Sequence, residues 1–209
     1  DYYDFLEDSS GRIWAALGDV VDKGVPAALT MATLRAFFHG VMDRNHSVAE
    51  AVQHISDGLS RCTPTQVYAT FSCGILDPEQ QTFTYVNAGH PYPLLVRADG
   101  QLQKGSVSGM PVGFDAMFSE GASYEEHVLR LNPGDVLVIY SDGVTEAPHA
   151  QNAEELFGDD RLFDVMARHR KDSAETVRDA IFNEVTAFQG GGIQSDDVTL
   201  VVIKVNEQA

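Results

Sequence analysis

The stretch Tyr2 to Glu7 reads as a strand, Asp8-Ser9-Ser10-Gly11 as a turn, and Ile13-Trp14-Ala15-Ala16-Leu17 as a second strand. Together they predict a hairpin that ends at Gly18-Asp19. The period then changes. Ala27, Leu29, Met31, Leu34, Phe37, Phe38 and Val41 recur at helical spacing and predict a helix over Pro26–Met42, with Pro26 suited to its first turn. Ser47 followed by Glu50 is a capping-box pattern, opening an amphipathic helix through Val52, Ile55 and Leu59 to about Arg61. Strands are expected over Tyr68–Leu76, Thr82–Asn87 and Pro93–Arg97, punctuated by Asp77-Pro78-Glu79-Gln80 and Asn87-Ala88-Gly89-His90-Pro91. Gln103–Ser123 is rich in Gly and Ser and reads as a long loop or flap. Tyr124–Leu131 alternates, Asn132-Pro133-Gly134-Asp135 turns, and Val136–Tyr140 is apolar throughout, as in a buried strand. Two helices follow, near Asp160–Arg168 and Ser173–Phe188. Gly190-Gly191-Gly192 breaks the second, and Val198–Val205 is a last strand.

Runs of consecutive strands favour antiparallel pairing, and segregated helix pairs favour an α+β fold over a βαβ array. No internal repeat, low-complexity tract or linker interrupts the chain, so a single domain over residues 1–209 is expected.

Composition narrows the function classes. With 44% hydrophobic and 22% charged residues, the 209-residue chain has the make-up of a globular protein with a sizeable core. The net charge of −17 repels nucleic acid and anionic membrane, and excludes both as expected partners. No apolar run approaches the roughly 20 residues of a membrane span. The chain opens on Asp1-Tyr2-Tyr3 without an initiator Met or a leader, and is read as a piece of a longer protein. Cys62 and Cys73 lack metal-ligand spacing and read as core thiols of a reducing cytoplasm.

Carboxylates stand at strand boundaries in four places. Asp1 heads the first strand, Asp19 follows the second, Asp142 follows Val136–Tyr140 before Gly143, and Asp196-Asp197 opens the last. Each alone is more often a turn than a ligand. Together they mark strand ends that can converge at one sheet edge. Uncompensated carboxylates there would repel, whereas hard divalent cations prefer oxygen ligands and would offset that repulsion. Two such ions about 3.5–4 Å apart activate water and clamp a phosphoryl group. No Gly-x-Ser-x-Gly elbow, P-loop, His-Glu-x-x-His or Gly-x-Gly-x-x-Gly offers a competing chemistry. His90 reads as part of a structural turn.

The same phrases carry a resemblance. Asp1-Tyr2-Tyr3-Asp4-Phe5, Gly18-Asp19-Val20 through Lys23-Gly24-Val25-Pro26-Ala27-Ala28, Asn87-Ala88-Gly89-His90-Pro91, Ser141-Asp142-Gly143-Val144-Thr145-Glu146 and Asp196-Asp197-Val198-Thr199 occur in this order. The chain thereby resembles the SpoIIE/RsbU-type bacterial phosphatases, a branch of the metal-dependent PP2C (PPM) serine/threonine phosphatases. The resemblance implies a four-layer αββα sandwich, two antiparallel sheets flanked by helices. It implies two Mn²⁺ or Mg²⁺ ions and in-line attack of metal-bound water, with no protein nucleophile. Asp19 resembles the carboxylate that bridges both metals, and the Val20 carbonyl a further ligand. Asp1 resembles a metal-shell residue, and Asp142 and Asp196 ligands of the other ion. Asp197 falls beside the site, and Glu146 where some relatives hold an acidic residue for a third ion.

The implied substrate is a phosphorylated protein of the anti-sigma-factor-antagonist type. An N-terminal sensory or receiver domain is the implied regulatory partner, acting through the two helices after Asp19. The oligomeric state is left open between monomer and homodimer. The chain departs from the family at Val21-Asp22, where Ser-Gly is usual. A Gly there can adopt φ > 0, which Asp tolerates better than most residues, and Asp22 could also add a carboxylate near the metals. Distant eukaryotic relatives place a His, proposed as general acid, where this chain has Val21. The family's first strand and the Gly before Asp1 are also absent. Two other readings stay open: a pseudophosphatase that grips a partner without chemistry, and a two-metal esterase of small phosphoesters.

Overall fold

The computed structural model describes residues 1–41, 47–64, 66–114, 123–190 and 196–206. Met42, Gly191, Gly192, Ser195 and residues 115–122 of the expected flap lie outside the described residues. The chain divides into two interleaved compact units. One comprises Asp1–His90 and Ser106–Arg130, the other Pro91–Gly105 and Leu131–Ala209.

The first unit is built on a five-stranded antiparallel sheet in the order β1-β2-β3-β4-β7. Its strands are β1 (Tyr2–Glu7), β2 (Ile13–Val20), β3 (Ala69–Asp77), β4 (Thr82–Ala88) and β7 (His127–Arg130). Helices α1 (Val25–Val41) and α2 (Val48–Cys62) join one face of this sheet in a common core. Leu34, Phe38, Val52, Ile55 and Leu59 meet Trp14, Phe71, Cys73 and Val86 there. Each fully buried Leu, Ile, Val or Phe contributes about 1.5–3 kcal/mol. Ser47 and Glu50 form both bonds of the expected capping box, which contributes about 1 kcal/mol to α2. Helix α1 is fastened to β1 through Asp4, whose Oδ2 lies 2.7 Å from His39 Nε2 and 3.3 Å from Arg35 Nε. Burial works against the Asp4 charge, but hydrogen bonds from His39, Tyr2 and the Phe5 amide outweigh it and hold the carboxyl below its usual range.

The second strand runs further than its pattern predicts. Gly18, Asp19 and Val20 remain in β2, paired with Phe71, Thr70 and Ala69 of β3. Gly18 is a site of close approach rather than a stop, since a Cβ there would lie 2.9 Å from both the Phe71 ring and the Thr70 carbonyl oxygen.

The second unit has a four-stranded antiparallel sheet in the order β11-β8-β5-β6. It is formed by β5 (Leu94–Val96), β6 (Leu102–Lys104), β8 (Val136–Tyr140) and β11 (Leu200–Lys204). Helices α4 (Gly158–His169) and α5 (Ala174–Phe188) share its core through Leu162, Val165, Met166, Val177, Ile181 and Val185. Strand β6 overlaps the start of the segment expected to be loop, at Gln103 and Lys104. A small exposed hairpin of β9 (Pro148–His149) and β10 (Asn152–Leu156) was not expected either. The turn before β8 is locked by Asp135, which is almost fully buried. It accepts from Arg97 Nη1 at 2.6 Å, from the Asn132 amide at 2.8 Å and from the Ala98 amide at 3.1 Å. Among the described residues, no helix is long and apolar enough to cross a membrane.

Candidate functional site

Two acidic strand ends emerge, one in each unit. In the first, β1 and β2 pair with Tyr2 opposite Gly18. Asp1 directly precedes this pair and Asp19 directly follows it, so both residues flank the same end of the β1–β2 ladder. Asp1 Oδ2 is withdrawn from solvent and Asp19 is half-buried. Val20 is anchored in the core.

On the far side of Asp19, its cross-strand neighbour Thr70 places Oγ1 2.9 Å from His90 Nδ1. The His90 amide in turn donates to Asn87 Oδ1 at 2.8 Å. Both His90 and Asn87 are buried. Asn87 and His90 therefore form a buried polar brace on the strand beside Asp19.

The chain leaves β2 through Asp22 at φ 73°, the left-handed conformation that a Gly would adopt without cost, and Gly24 at φ 80°. The substitution at Asp22 is thus accommodated in the backbone, with the Asp22 side chain exposed.

In the second unit, Asp142 opens a single helical turn, α3 (Asp142–Thr145), rather than a simple turn. The Glu146 amide donates to the Asp142 carbonyl at 2.7 Å. Ser141, fully buried, clamps the segment before β11. Its amide donates to Thr199 O at 3.0 Å, its Oγ accepts from the Thr199 amide at 3.0 Å, and Oγ donates to Asp197 O at 3.2 Å.

Gly143 is packed directly on that segment. A Cβ would lie 1.9 Å from the Asp197 carbonyl oxygen and 3.5 Å from the Asp196 carbonyl carbon. Asp142, Asp196 and Asp197 are thereby neighbours. Asp196 Oδ1 accepts from the Asp197 amide at 2.9 Å. Asp142 is half-buried, while Asp196, Asp197 and Glu146 are exposed. Tyr140 OH donates to Asp159 Oδ1 at 3.1 Å and ties the end of β8 to the first turn of α4; burial raises the Tyr140 pKa above its usual range.

Ser141, Asn87 and His90 stand in motifs that carry the resemblance, but those motifs assigned none of these hydrogen bonds, and Thr70 stands in none. A Ser directly before Asp-Gly at the end of an apolar strand is the one signal that could have pointed to the Ser141 clamp.

The donor set is of one kind: carboxylates, with main-chain carbonyls nearby. That set suits hard cations such as Mg²⁺ and Mn²⁺ and is poor for softer metals. Among the described residues, no group of three or more His, Cys, Asp or Glu side chains is gathered closely enough to hold a metal ion. Asp1 and Asp19 flank one end of the β1–β2 ladder, and the Asp196–Asp197 backbone packs against Gly143 beside Asp142.

The fold is that of PP2C-like phosphatase domains. The chain is similar to the SiaA-PP2C domain of Pseudomonas aeruginosa, with a TM-score of 0.82 and 17% identity over 97% of this chain and 79% of that one. It is also similar to the RsbU and RsbW domains of a Mycobacterium tuberculosis protein, with a TM-score of 0.77 and 26% identity over 99% of this chain and 55% of that one. Residues 9–206 match the family described as Stage II sporulation protein E (SpoIIE), and the chain belongs to that family. It is 25% identical over 205 residues to the phosphoserine phosphatase RsbU of Bacillus subtilis, covering 98% of this chain and 58% of RsbU. The chain thus spans little more than half the length of that curated relative.

Proposed function

We propose that this chain is a metal-dependent protein serine/threonine phosphatase domain of a bacterial signalling regulator. The observation that carries the reading is the seat of Gly143 against Asp197, which leaves no room for a Cβ and holds Asp142 beside Asp196. The place of Asp1 and Asp19 at one end of the β1–β2 ladder adds to it.

Asp1, Asp19, Asp142 and Asp196 would hold two Mn²⁺ or Mg²⁺ ions through their carboxylates, with Asp19 as the shared ligand and the Val20 carbonyl as a further one. Asp197, Glu146 and Asp22 are outer acidic groups. The cations, when bound, supply Lewis-acid stabilisation of phosphoryl oxygens and a lowered pKa for water. The protein's own part is to hold the carboxylates in place, through the β1–β2 ladder on one side and the Ser141 clamp on the other.

No side chain is cast as nucleophile. The buried Cys73 thiol is pushed well above its usual pKa by desolvation, which removes the thiolate needed for attack. Retention of all four carboxylates disfavours a binding-only pseudophosphatase.

The substrate is a phosphorylated protein of the anti-sigma-factor-antagonist type, handled in the cytoplasm. The net charge of −17 disfavours nucleic acid and membrane as partners. An N-terminal sensory or receiver domain in a longer chain regulates the activity, either as a monomer or as a homodimer.

The test is phosphate release from a phosphoserine protein of that class and from p-nitrophenyl phosphate, with Mn²⁺ or Mg²⁺ and with EDTA. Metal-dependent turnover of the phosphoprotein supports the reading. Fast turnover of the small ester with none of the phosphoprotein would replace it by a small-phosphoester esterase.

A further inference from the structure

The buried face of α2 is apolar, formed by Val48, Ala51, Val52, Ile55 and Leu59, with a single hydroxyl among them at Ser56. That hydroxyl meets two donors outside the helix. The Gly113 amide donates to Ser56 Oγ at 3.1 Å, and Tyr124 OH donates to it at 3.1 Å. We propose that Ser56 is a positioning residue for the Asp19–Val20 end of β2, acting through Gly113. The proposal rests on the reading of Asp19 and Val20 as metal ligands.

Three hydrogen-bonded steps lead from the hydroxyl to that strand end, all within the first unit. The first is the Gly113 bond. Val112, directly before Gly113, exchanges both backbone bonds with Ala69, at 2.8 and 2.9 Å. Tyr68, directly before Ala69, accepts from the Val21 amide at 3.1 Å, and Val21 follows Val20. Each step begins beside the residue on which the last one ended. Val20, Ala69 and Val112 also share one core with Ile55 and Leu59 of α2. A contiguous chain of packed and hydrogen-bonded groups carries a displacement of α2 to the strand end.

The same bonds aim the Val20 carbonyl. Ala69 uses both its amide and its carbonyl on Val112, so its pair with Val20 is of the kind without hydrogen bonds between the two residues. The Val20 amide and carbonyl therefore point away from β3, to the side of β1. On that side the ladder ends at the pair of Tyr2 with Gly18, short of Val20. The β1 register does not hold Val20, and the segment Tyr68–Ala69, backed by Val112, is its restraint.

Gly113 is fitted to the contact with α2. It stands at φ 80°, and a Cβ there would lie 2.8 Å from Leu59 Cδ2, close to one turn along the helix from Ser56. Tyr124 shares the Ser56 hydroxyl, but its bond is not a step on the way to Val20.

The test is amide hydrogen exchange in EDTA, followed by a Mn²⁺ titration by calorimetry, for the native chain, Ser56→Ala and Tyr124→Phe. The Cys73 amide, in the middle of β3, reports general stability. Ser56→Ala should speed exchange at Val112, Ala69 and Val21 by about tenfold beyond any change at Cys73, and should weaken Mn²⁺ binding by about fivefold. Tyr124→Phe leaves the Gly113 bond in place and should do neither. Ser56→Cys, close in volume but a weak acceptor, should reproduce Ser56→Ala and serves where that variant does not fold. Val52→Ala thins the same helix face without removing a hydrogen bond, and should lower stability with Mn²⁺ affinity within about twofold of native.

Exchange at Val21 and Ala69 in step with Cys73 overturns the proposal. Native Mn²⁺ affinity in Ser56→Ala, or an equal loss in Val52→Ala, overturns it too. If the native chain binds no Mn²⁺, the metal reading of the site fails, and exchange at Val21 still decides whether Ser56 positions the strand end.

Discussion

The two acidic strand ends are held by different means. Asp1 and Asp19 flank the end of an extended strand pairing, in which Tyr2–Glu7 are in register with β2 and Ile13–Val20 with β3. Asp142, Asp196 and Asp197 owe their proximity to a few atoms at the mouth of one strand pair: the Ser141 hydroxyl, its amide, and the missing side chain of Gly143. A register is a distributed restraint, so one change in it is shared among many bonds. A clamp is concentrated, so one change releases it. The end on β8 should therefore be the more fragile of the two, and exchanges at each end test that difference.

The largest effect is expected at Gly143→Ala. Its Cβ cannot coexist with the Asp197 carbonyl, so α3 or the Asp196–Asp197 segment must move. Metal-dependent hydrolysis should fall by about a hundredfold or more, with a loss of roughly 3 kcal/mol in a denaturant melt. Ser141→Ala comes next. It leaves the Thr199 amide without its acceptor, which costs about 1–3 kcal/mol and should raise the Mn²⁺ concentration needed for half-maximal activity.

Gly18→Ala in β2 meets the Phe71 ring and the Thr70 carbonyl oxygen at 2.9 Å, and should cost about 1–3 kcal/mol of stability. Its effect on metal dependence should be smaller than that of Ser141→Ala, because the register persists around it. The reverse order between these two would break the comparison.

Asp22→Gly should do least. It relieves a left-handed φ of 73°, should change stability by no more than about 1 kcal/mol, and, as the loss of one outer acidic group, should raise the Mn²⁺ concentration for half-maximal activity less than any exchange above.

A pH series sharpens the same contrast from a position at the other end of the β1–β2 hairpin. Burial disfavours the charged form of Asp8, yet hydrogen bonds from the Ser10 hydroxyl and amide and from Arg12 outweigh it and bring its pKa down to about 2. A depressed pKa contributes stability that is complete above the unfolded value of about 3.9 and is lost as pH falls through the folded one. The stability difference between the native chain and Asp8→Asn should thus be constant from neutral pH to about pH 5, and should vanish towards pH 2. Because the hairpin continues to Asp1 and Asp19, this exchange should leave the Mn²⁺ dependence at neutral pH unchanged.

Periodicity and capping exposed the large elements. The Ser47–Glu50 capping box and the helical spacing of Leu34, Phe38 and Val41 are local signals, and the helices stand where those signals place them. The left-handed backbone at Asp22 was foreshadowed through the resemblance, since the family usually carries a Gly there. Gly18 was misread as a strand end because a glycine's local signature is that of a stop. Its reason for being there lies across the sheet, in the bulk of Phe71. Strands β6 and β10 escaped because they are short, and every residue of β10 is exposed, so no apolar face is written into them. The excursion of Pro91–Gly105 into the second unit, between two stretches of the first, leaves no mark in composition. At the site, the carboxylates were visible as residue types at strand boundaries, whereas the Ser141 clamp and the Thr70–His90 brace exist only once strands are paired.

The most direct test of the central claim is a Mn²⁺ titration by calorimetry, followed on the same samples by hydrolysis of p-nitrophenyl phosphate, for the native chain, Asp19→Asn and Asp142→Asn. The account predicts saturable Mn²⁺ binding with hydrolysis rising in step, and loss of both in each variant while the fold persists by circular dichroism. Native-like Mn²⁺ binding and hydrolysis in either variant would contradict it.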